Sequence, residues 1–207
     1  MMVMQGRKIN AIRHNLEQGS SNWLEFRQKH IMASDAAPML GISPWRTREQ
    51  LLNEKLGQIP PQEVNNAMQR GMLLESKGRA CAEEELGTLF LPEVLQSIEY
   101  PWMCASYDGI CIDNKMIIEI KCTNAKNHAM AKNGKIPDYY MPQIQHQIVV
   151  CDLDCCHYYS FDGNSGVVVV VERDSEFIKR MIDIEYEFYQ EMKLFGLSLK
   201  RSRRSVV

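Results

Sequence analysis

The sequence predicts a single α/β domain over 1–207, with helices flanking a central mixed β-sheet. Helical periodicity dominates the first third of the chain, short β-rich segments follow, and a helix–strand–strand–helix order closes it. That is the pattern of one sheet covered by helices. Hydrophobic residues make up 45% and charged residues 24% of 207 positions, a globular balance with material for a substantial core. No internal repeat or low-complexity linker divides the chain.

The elements follow in order. Asn22 with Glu25 reads as the cap of a short helix carrying Trp23, Phe26 and Arg27. Ser34-Asp35 is expected to cap a second short helix that stops at Gly41. Thr47 and Gln50 form a capping-box pair ahead of Leu51, Leu52 and Leu56, with Gly57 as the stop. A surface loop is predicted over 58–66, where Pro60-Pro61 breaks any periodicity, then a long helix over 69–86 ending at Gly87. Strands are expected over 95–100, 103–107, 109–113 and 116–122, with Asp113-Asn114-Lys115 turning the last pair. A helix over 139–150 precedes strands over 156–161 and 167–172, joined by the hairpin residues Asp162-Gly163-Asn164-Ser165-Gly166. The final helix starts from an Asp174 cap, repeats apolar residues at Phe177, Met181, Ile184, Phe188, Met192 and Phe195, and is expected to stop at Gly196. Beyond it Lys200, Arg201, Arg203 and Arg204 read as a frayed basic tail over 198–207.

Composition excludes some functions. A net charge of −2 means that any nucleic-acid contact comes from a local basic surface, not a globally basic coat. The seven cysteines are odd in number and contain no CxxC, as expected of free thiols in a reducing compartment. Cys155, Cys156 and His157 are too close in sequence to close a tetrahedral metal site readily. No apolar run has the length of a membrane span, so no membrane association is expected and the cytoplasm is the expected compartment.

Chemistry concentrates in Ser106-Tyr107-Asp108-Gly109 and Ile117-Ile118-Glu119-Ile120-Lys121-Cys122. Strand alternation sends Glu119 and Lys121 to one face and Ile118, Ile120 and Cys122 to the other. Asp108 is expected at the turn before the preceding strand, from which a hairpin at Asp113 to Lys115 returns it beside Glu119. Two carboxylates about 4 Å apart repel by roughly 4 kcal/mol at an effective dielectric near 20. A hard divalent cation, Mg²⁺ or Mn²⁺, relieves that repulsion, polarises a phosphate oxygen and activates water. Lys121 on the same face is placed to orient that water or to stabilise developing charge. This is a set of parts for phosphodiester hydrolysis.

With these residues in view, the chain resembles the PD-(D/E)xK nucleases and, among them, the phage lambda exonuclease-type alkaline exonucleases. The likeness covers about 19–195. Its blocks are Trp23-Leu24-Glu25-Phe26-Arg27 with Ala33-Ser34-Asp35, residues 71–75, residues 106–109, Glu119-Ile120-Lys121-Cys122, and Tyr140-Met141-Pro142-Gln143-Ile144-Gln145. The resemblance implies a restriction-endonuclease-like fold and a 5′→3′ exonuclease that acts on ends of double-stranded DNA. It implies release of mononucleotides, leaving a 3′ strand for recombination. A homotrimer and a single-strand annealing recombinase as partner are also implied. Asp108, Glu119 and the Ile120 carbonyl would hold Mg²⁺, with Mn²⁺ substituting, and Lys121 would assist the nucleophile. Glu75 would serve a second ion or a water. Arg27, Ser34, Ser106 and Gln143 would surround the scissile strand or its terminal 5′-phosphate, and Met68 would be the wedge between strands.

Read without the resemblance, Arg27 is a surface helix charge, Ser34 a plain N-cap, Ser106 a strand end, Gln143 an exposed helix residue and Met68 loop packing. Trp45 and Arg46 follow a Ser-Pro turn and either touch a duplex or, for Trp45, anchor the core. His146 and His157 read as packing or hydrogen-bonding residues. The alternatives are a PD-(D/E)xK endonuclease and a non-catalytic DNA-binding module. An iron–sulfur branch of the fold needs four placed thiolates, and the chain has no late C-x₂-C.

Overall fold

The structure, a computed structural model, describes residues 8–204 apart from 62, 64, 112 and 114, without side chains for 67 and 198–204. Asn114 of the predicted turn and the side chains of the basic tail therefore lie outside the described residues.

The sheet is built from β1 (Ala11–His14), β2 (Ile31–Met32), β3 (Phe90–Ser97), β4 (Met103–Cys111), β5 (Ile117–Cys122), β6 (Cys155–Phe161) and β7 (Gly166–Glu172). Its order is β1-β3-β4-β5-β6-β7, with β2 added parallel to β4. Neighbours run antiparallel except β5 and β6, so the sheet is mixed, as predicted. The two strands predicted over 103–107 and 109–113 are one strand, and it carries Asp108 in its interior rather than at a turn. β1 has no counterpart in the sequence reading, because four residues with an exposed middle carry no alternation to detect.

Among the described residues seven α-helices surround the sheet: α1 (Ser21–Lys29), α2 (Ala36–Met39), α3 (Arg48–Lys55), α4 (Asn66–Leu86), α5 (Ala125–Lys132), α6 (Met141–Cys151) and α7 (Ser175–Arg204). On one face α4 packs its Ala82 and Leu74 against Phe90, Ile118, Ile120, Tyr159 and Phe161. On the other, Ile144 and Ile148 of α6 and Met181 and Phe188 of α7 meet Tyr107, Ile117 and Tyr158. Each such fully buried side chain contributes about 1.5–3 kcal/mol relative to exposure. The isoleucines of β5 thus divide between the two faces. That places Glu119 and Lys121 on the α6 side.

Three end signals differ from prediction. Ser20 caps α1, accepting the Trp23 amide at 3.2 Å, and Asn22 lies inside the helix. Gly19, at φ 85°, makes the left-handed bend that delivers Ser20 to that position. Ser34 is inside a 3₁₀ turn, Ala33–Asp35, and caps nothing. Asp35 instead reaches back to the Met32 amide at 3.0 Å. At the other end α7 runs through Gly196 to Arg204. A helical glycine costs about 1 kcal/mol against alanine, too little to end a helix whose stripe from Phe177 to Met192 is packed on the core.

The remaining caps agree with the sequence. Thr47 and Gln50 exchange capping bonds at 3.2 and 2.9 Å, Gly87 takes the left-handed C-cap of α4, and Asp174 accepts the Phe177 amide at 2.9 Å. α5 was not anticipated. Its eight residues carry almost no apolar stripe, and only His128 and Ala131 are buried.

Candidate active site

Strand pairing leaves an opening along one edge of β4. On that edge β2 pairs with Met103 and Cys104, and β5 pairs with Gly109 and Ile110. Residues 105–108 between them are covered by no strand among the described residues. β3 occupies the opposite edge, and there Asp108 and Gly109 together stand opposite Pro92 alone, a β-bulge. A bulge re-aims the side chain it carries, and proline suits the facing position because it has no N–H to pair. Tyr107 and Asp108 consequently both lean to the α6 side. Gly109 faces α4, where a Cβ would come within 2.6 Å of Phe90 Cβ and 2.8 Å of Ile118 Cγ2.

Because β5 leaves β4 after Ile118, the Ile120 amide has no strand partner on that edge. Asp108 Oδ2 accepts it at 2.7 Å. The other oxygen, Oδ1, accepts no hydrogen bond from a described residue. Glu119, 2% exposed, meets Lys121 Nζ at 2.5 Å and Gln143 Nε2 at 2.6 Å through Oε1, and Gln147 Nε2 at 2.5 Å through Oε2. Lys121 Nζ also stands 5.0 Å from the Tyr140 ring centre. The structure therefore brings Asp108, Glu119, Lys121 and Gln143 into one cluster.

Electrostatics distinguish these groups. Burial and then the Glu119 carboxylate push the Asp108 carboxyl well above its ordinary value, against the pull of Lys121. Burial works against the Lys121 charge, but Glu119 and Asp108 outweigh it and hold the ammonium above its usual pKa. The two carboxylates thus favour the charged, donating form of Lys121.

Glu75 borders the cluster from α4. Its Oε1 accepts Arg79 Nη2 at 2.7 Å, and Arg79 Nε donates to the Asp108 carbonyl at 2.7 Å. No three acidic, histidine or cysteine side chains gather into a metal-ligating group among the described residues. The donor set is instead two hard carboxylates on neighbouring strands, one with an uncommitted oxygen and a raised pKa. That set suits a hard divalent cation, which would relieve the like-charge contact. Glu119 accepts from three partners, two on Oε1 and one on Oε2, so an Oε2 lone pair stays open to a cation.

A second cluster lies beside the first. Arg27 donates to Ser34 Oγ at 3.0 Å and lies 4.5 Å above the Trp23 ring, whose Nε1 donates to Ser106 Oγ at 3.1 Å. Ser34 is free for this contact because it caps no helix. Beneath it, Asp35 is buried and accepts Arg46 at 3.1 Å and Lys55 at 2.6 Å. Burial alone would raise the Asp35 carboxyl, but Lys55, Arg27 and Arg46 hold it at about 2. Arg46 also pairs with Glu54 at 2.8 Å, so its guanidinium is committed to this network.

Other sequence candidates are placed apart. Met68 is exposed in the first turn of α4, about 10 Å along the axis from Glu75. Trp45 is 54% exposed, with its ring 4.8 Å from Tyr139, which contradicts the core-anchor reading. The turn before it holds the indole outside, edge-on to Tyr139 and tilted against Tyr140. His146 is buried between Glu185 and the Cys104 carbonyl, 3.0 Å from each. It holds α6 to α7 and β4. Gln147 and Arg79 were not singled out in the sequence, and Tyr140 entered only as part of a family block. Gln147 and Arg79 stand four residues after Gln143 and Glu75, the spacing that places two side chains on one helix face.

The fold and this strand-borne cluster define the class: an α/β nuclease fold of the alkaline exonuclease type. The chain matches an alkaline exonuclease from Laribacter hongkongensis with a TM-score of 0.77 and 27% identity, covering 91% of this chain and 100% of that one. The same exonuclease in complex with dAMP matches with a TM-score of 0.77 and 26% identity, at the same coverage. A phage-related exonuclease from Haemophilus somnus 129PT shares the fold at a TM-score of 0.58 and 17% identity, covering 82% of this chain and 96% of that one. Residues 22–154 match the YqaJ-like viral recombinase domain, and the chain belongs to that family. It is 31% identical over 199 residues to the uncharacterized protein YqaJ of Bacillus subtilis strain 168, covering 93% of this chain and 62% of that relative's length. No described helix is long and apolar enough to cross a membrane.

Proposed function

We propose that the chain is a Mg²⁺-dependent PD-(D/E)xK exonuclease that degrades one strand of linear double-stranded DNA 5′→3′. It releases mononucleotides and leaves 3′ single strands for a single-strand annealing recombinase. One observation carries this reading: Asp108 reaches across the fork of β4 and β5 to the Ile120 amide, between Glu119 and the Lys121 paired to it. A cation held by Asp108, Glu119 and the Ile120 carbonyl would supply Lewis acidity and an activated water. Mn²⁺ is expected to substitute, and a second ion would sit towards Glu75.

The chain's own residues account for the rest. Protonated Lys121 donates to the incoming water or to the phosphoryl oxygen that gains charge. Gln143 and Gln147 fix the rotamer of Glu119. When the bond from phosphorus to the 3′ oxygen breaks, the shortened strand keeps a 5′-phosphate. Arg27 and Ser34 supply donors suited to that group, with Ser106 and Trp23 beside them. The similar exonuclease bound to dAMP supports mononucleotide release, since dAMP is such a product. A ring-shaped homotrimer around DNA belongs to the same reading, through the family likeness.

The test is a time course on linear duplex with one labelled 5′ end, in Mg²⁺ and in chelator. Labelled mononucleotide should appear first, only with metal. Cutting of closed circular DNA would replace the exonuclease by an endonuclease, and binding without cleavage would leave a DNA-binding module.

A further inference from the structure

Beyond the end of β5 a cleft of about 350 Å³ opens between the start of α4, the length of α5 and the turn joining β6 to β7. Its walls include Arg70, Thr123, Asn124, His128, Lys132 and Asp162. Thr123 continues the alternation of Glu119 and Lys121, so the cleft begins about 7 Å past Lys121 along the strand. That is a step comparable with one nucleotide of a nucleic-acid backbone.

His128 shows what the cleft lacks. The residue is 4% exposed, and its Nδ1 lies 3.1 Å from Ser160 Oγ, itself 2.7 Å from Thr123 Oγ1. Its Nε2 is buried without a hydrogen-bond partner among the described residues. Asp162 Oδ2, at 3.6 Å, is beyond hydrogen-bond range and suits the neutral tautomer whose N–H is at Nε2. Asp162 itself is engaged, since its Oδ1 accepts the Asn164 and Ser165 amides at 2.8 Å. A buried donor with no acceptor is costly, and such groups mark a missing partner.

The surroundings specify that partner. Asn124 caps the Asn127 amide at 2.9 Å, which leaves the opening amides of α5 for an outside acceptor. Arg70, which also holds the Asp162 carbonyl at 2.7 Å, and Lys132 set two positive charges against one carboxylate. An anion with several acceptor oxygens suits this set of donors.

We propose that this cleft binds a phosphate, the backbone phosphate of the DNA strand about one nucleotide from the phosphodiester under attack. The proposal rests on the nuclease reading for its DNA, but binding tests it without cleavage. Affinity is measured in chelator on linear duplexes carrying one neutral methylphosphonate at successive positions near the end. One position should weaken wild-type binding several-fold, and Lys132→Ala should abolish that sensitivity. Lys132→Ala should also flatten the slope of log K against log salt by roughly 0.7–0.9. Lys132 is exposed, so this variant does not endanger folding. His128→Leu should repeat the result if it folds.

An unchanged slope with no masked position overturns the proposal. Protection of the wild type, but not the variant, by inorganic phosphate without methylphosphonate coupling assigns the cleft to free phosphate and overturns the DNA role. Wild-type cleavage without coupling sinks this site alone. Coupling without cleavage in any metal sinks the nuclease reading alone.

Discussion

Replacing Asp108 with asparagine separates what the site costs from what it does. Asp108 sits in a bulge facing Glu119, and burial and that neighbour both oppose its ionisation. Each pKa unit by which they raise that carboxyl corresponds to about 1.4 kcal/mol against its charged form. Lys121, paired to Glu119 at 2.5 Å, offsets a large part, so about 1–2 kcal/mol is left as destabilisation at neutral pH. Asparagine keeps an oxygen for the Ile120 amide and removes the opposed charge. For a chain of this size each kcal/mol moves the melting temperature by about 2–4 °C. In chelator, Asp108→Asn should therefore melt some 2 to 8 °C higher than wild type, by that same scaling. In Mg²⁺ its turnover on linear duplex should fall by several orders of magnitude. Calorimetry and a gel-based cleavage assay read the two effects on one preparation. A variant that melts at or below the wild-type temperature, or that still cuts, would refute the reasoning.

Four further outcomes follow from the same geometry. Lys121→Met should lose several orders in turnover while remaining folded, checked by circular dichroism beside the cleavage assay. Arg27→Ala should slow degradation of 5′-phosphorylated ends more than 5′-hydroxyl ends, and equal loss on both would remove Arg27 from the terminal-phosphate role. Asp35 is held at about 2 against about 3.9 when unfolded, so its contribution is complete above pH 4 and disappears as pH falls towards 2. That contribution is on the order of 2 kcal/mol, and urea midpoints from pH 5 to pH 2 should show the loss in wild type but not in Asp35→Asn. Gly109→Ala should lower stability by about 1–3 kcal/mol through overpacking against Phe90 and Ile118. It should also lower turnover by displacing Asp108, read by thermal melts and the same cleavage assay.

The sequence made the sheet and its covering helices legible because their periods are long and their punctuation strong. Thr47 with Gln50, Gly87, Asp174 and the Asp162 to Gly166 hairpin all marked ends that the structure keeps. Where signals conflicted, tertiary packing decided. Gly196 lies within a helix whose stripe was already committed, and Ser34 yielded the capping position to Asp35 and turned to Arg27. The acids and lysine were legible as charges in an apolar strand, but the bulge opposite Pro92 was not. A bulge depends on pairing with β3, which no local pattern records. Gln147 and Tyr140 escaped for a similar reason, since only the packing of α6 on β5 shows which helix residues reach Glu119. The exposure of Trp45 and the partnerless His128 likewise emerge only once distant segments meet.

Manganese binding followed by electron paramagnetic resonance is the most direct measurement of whether the two acids form a cation site. Wild-type protein should deplete the free Mn²⁺ signal at stoichiometric levels, and Asp108→Asn and Glu119→Gln should each restore it while remaining folded. Undiminished binding in both variants would place the cation elsewhere and contradict a hydrolytic centre at the fork of β4 and β5.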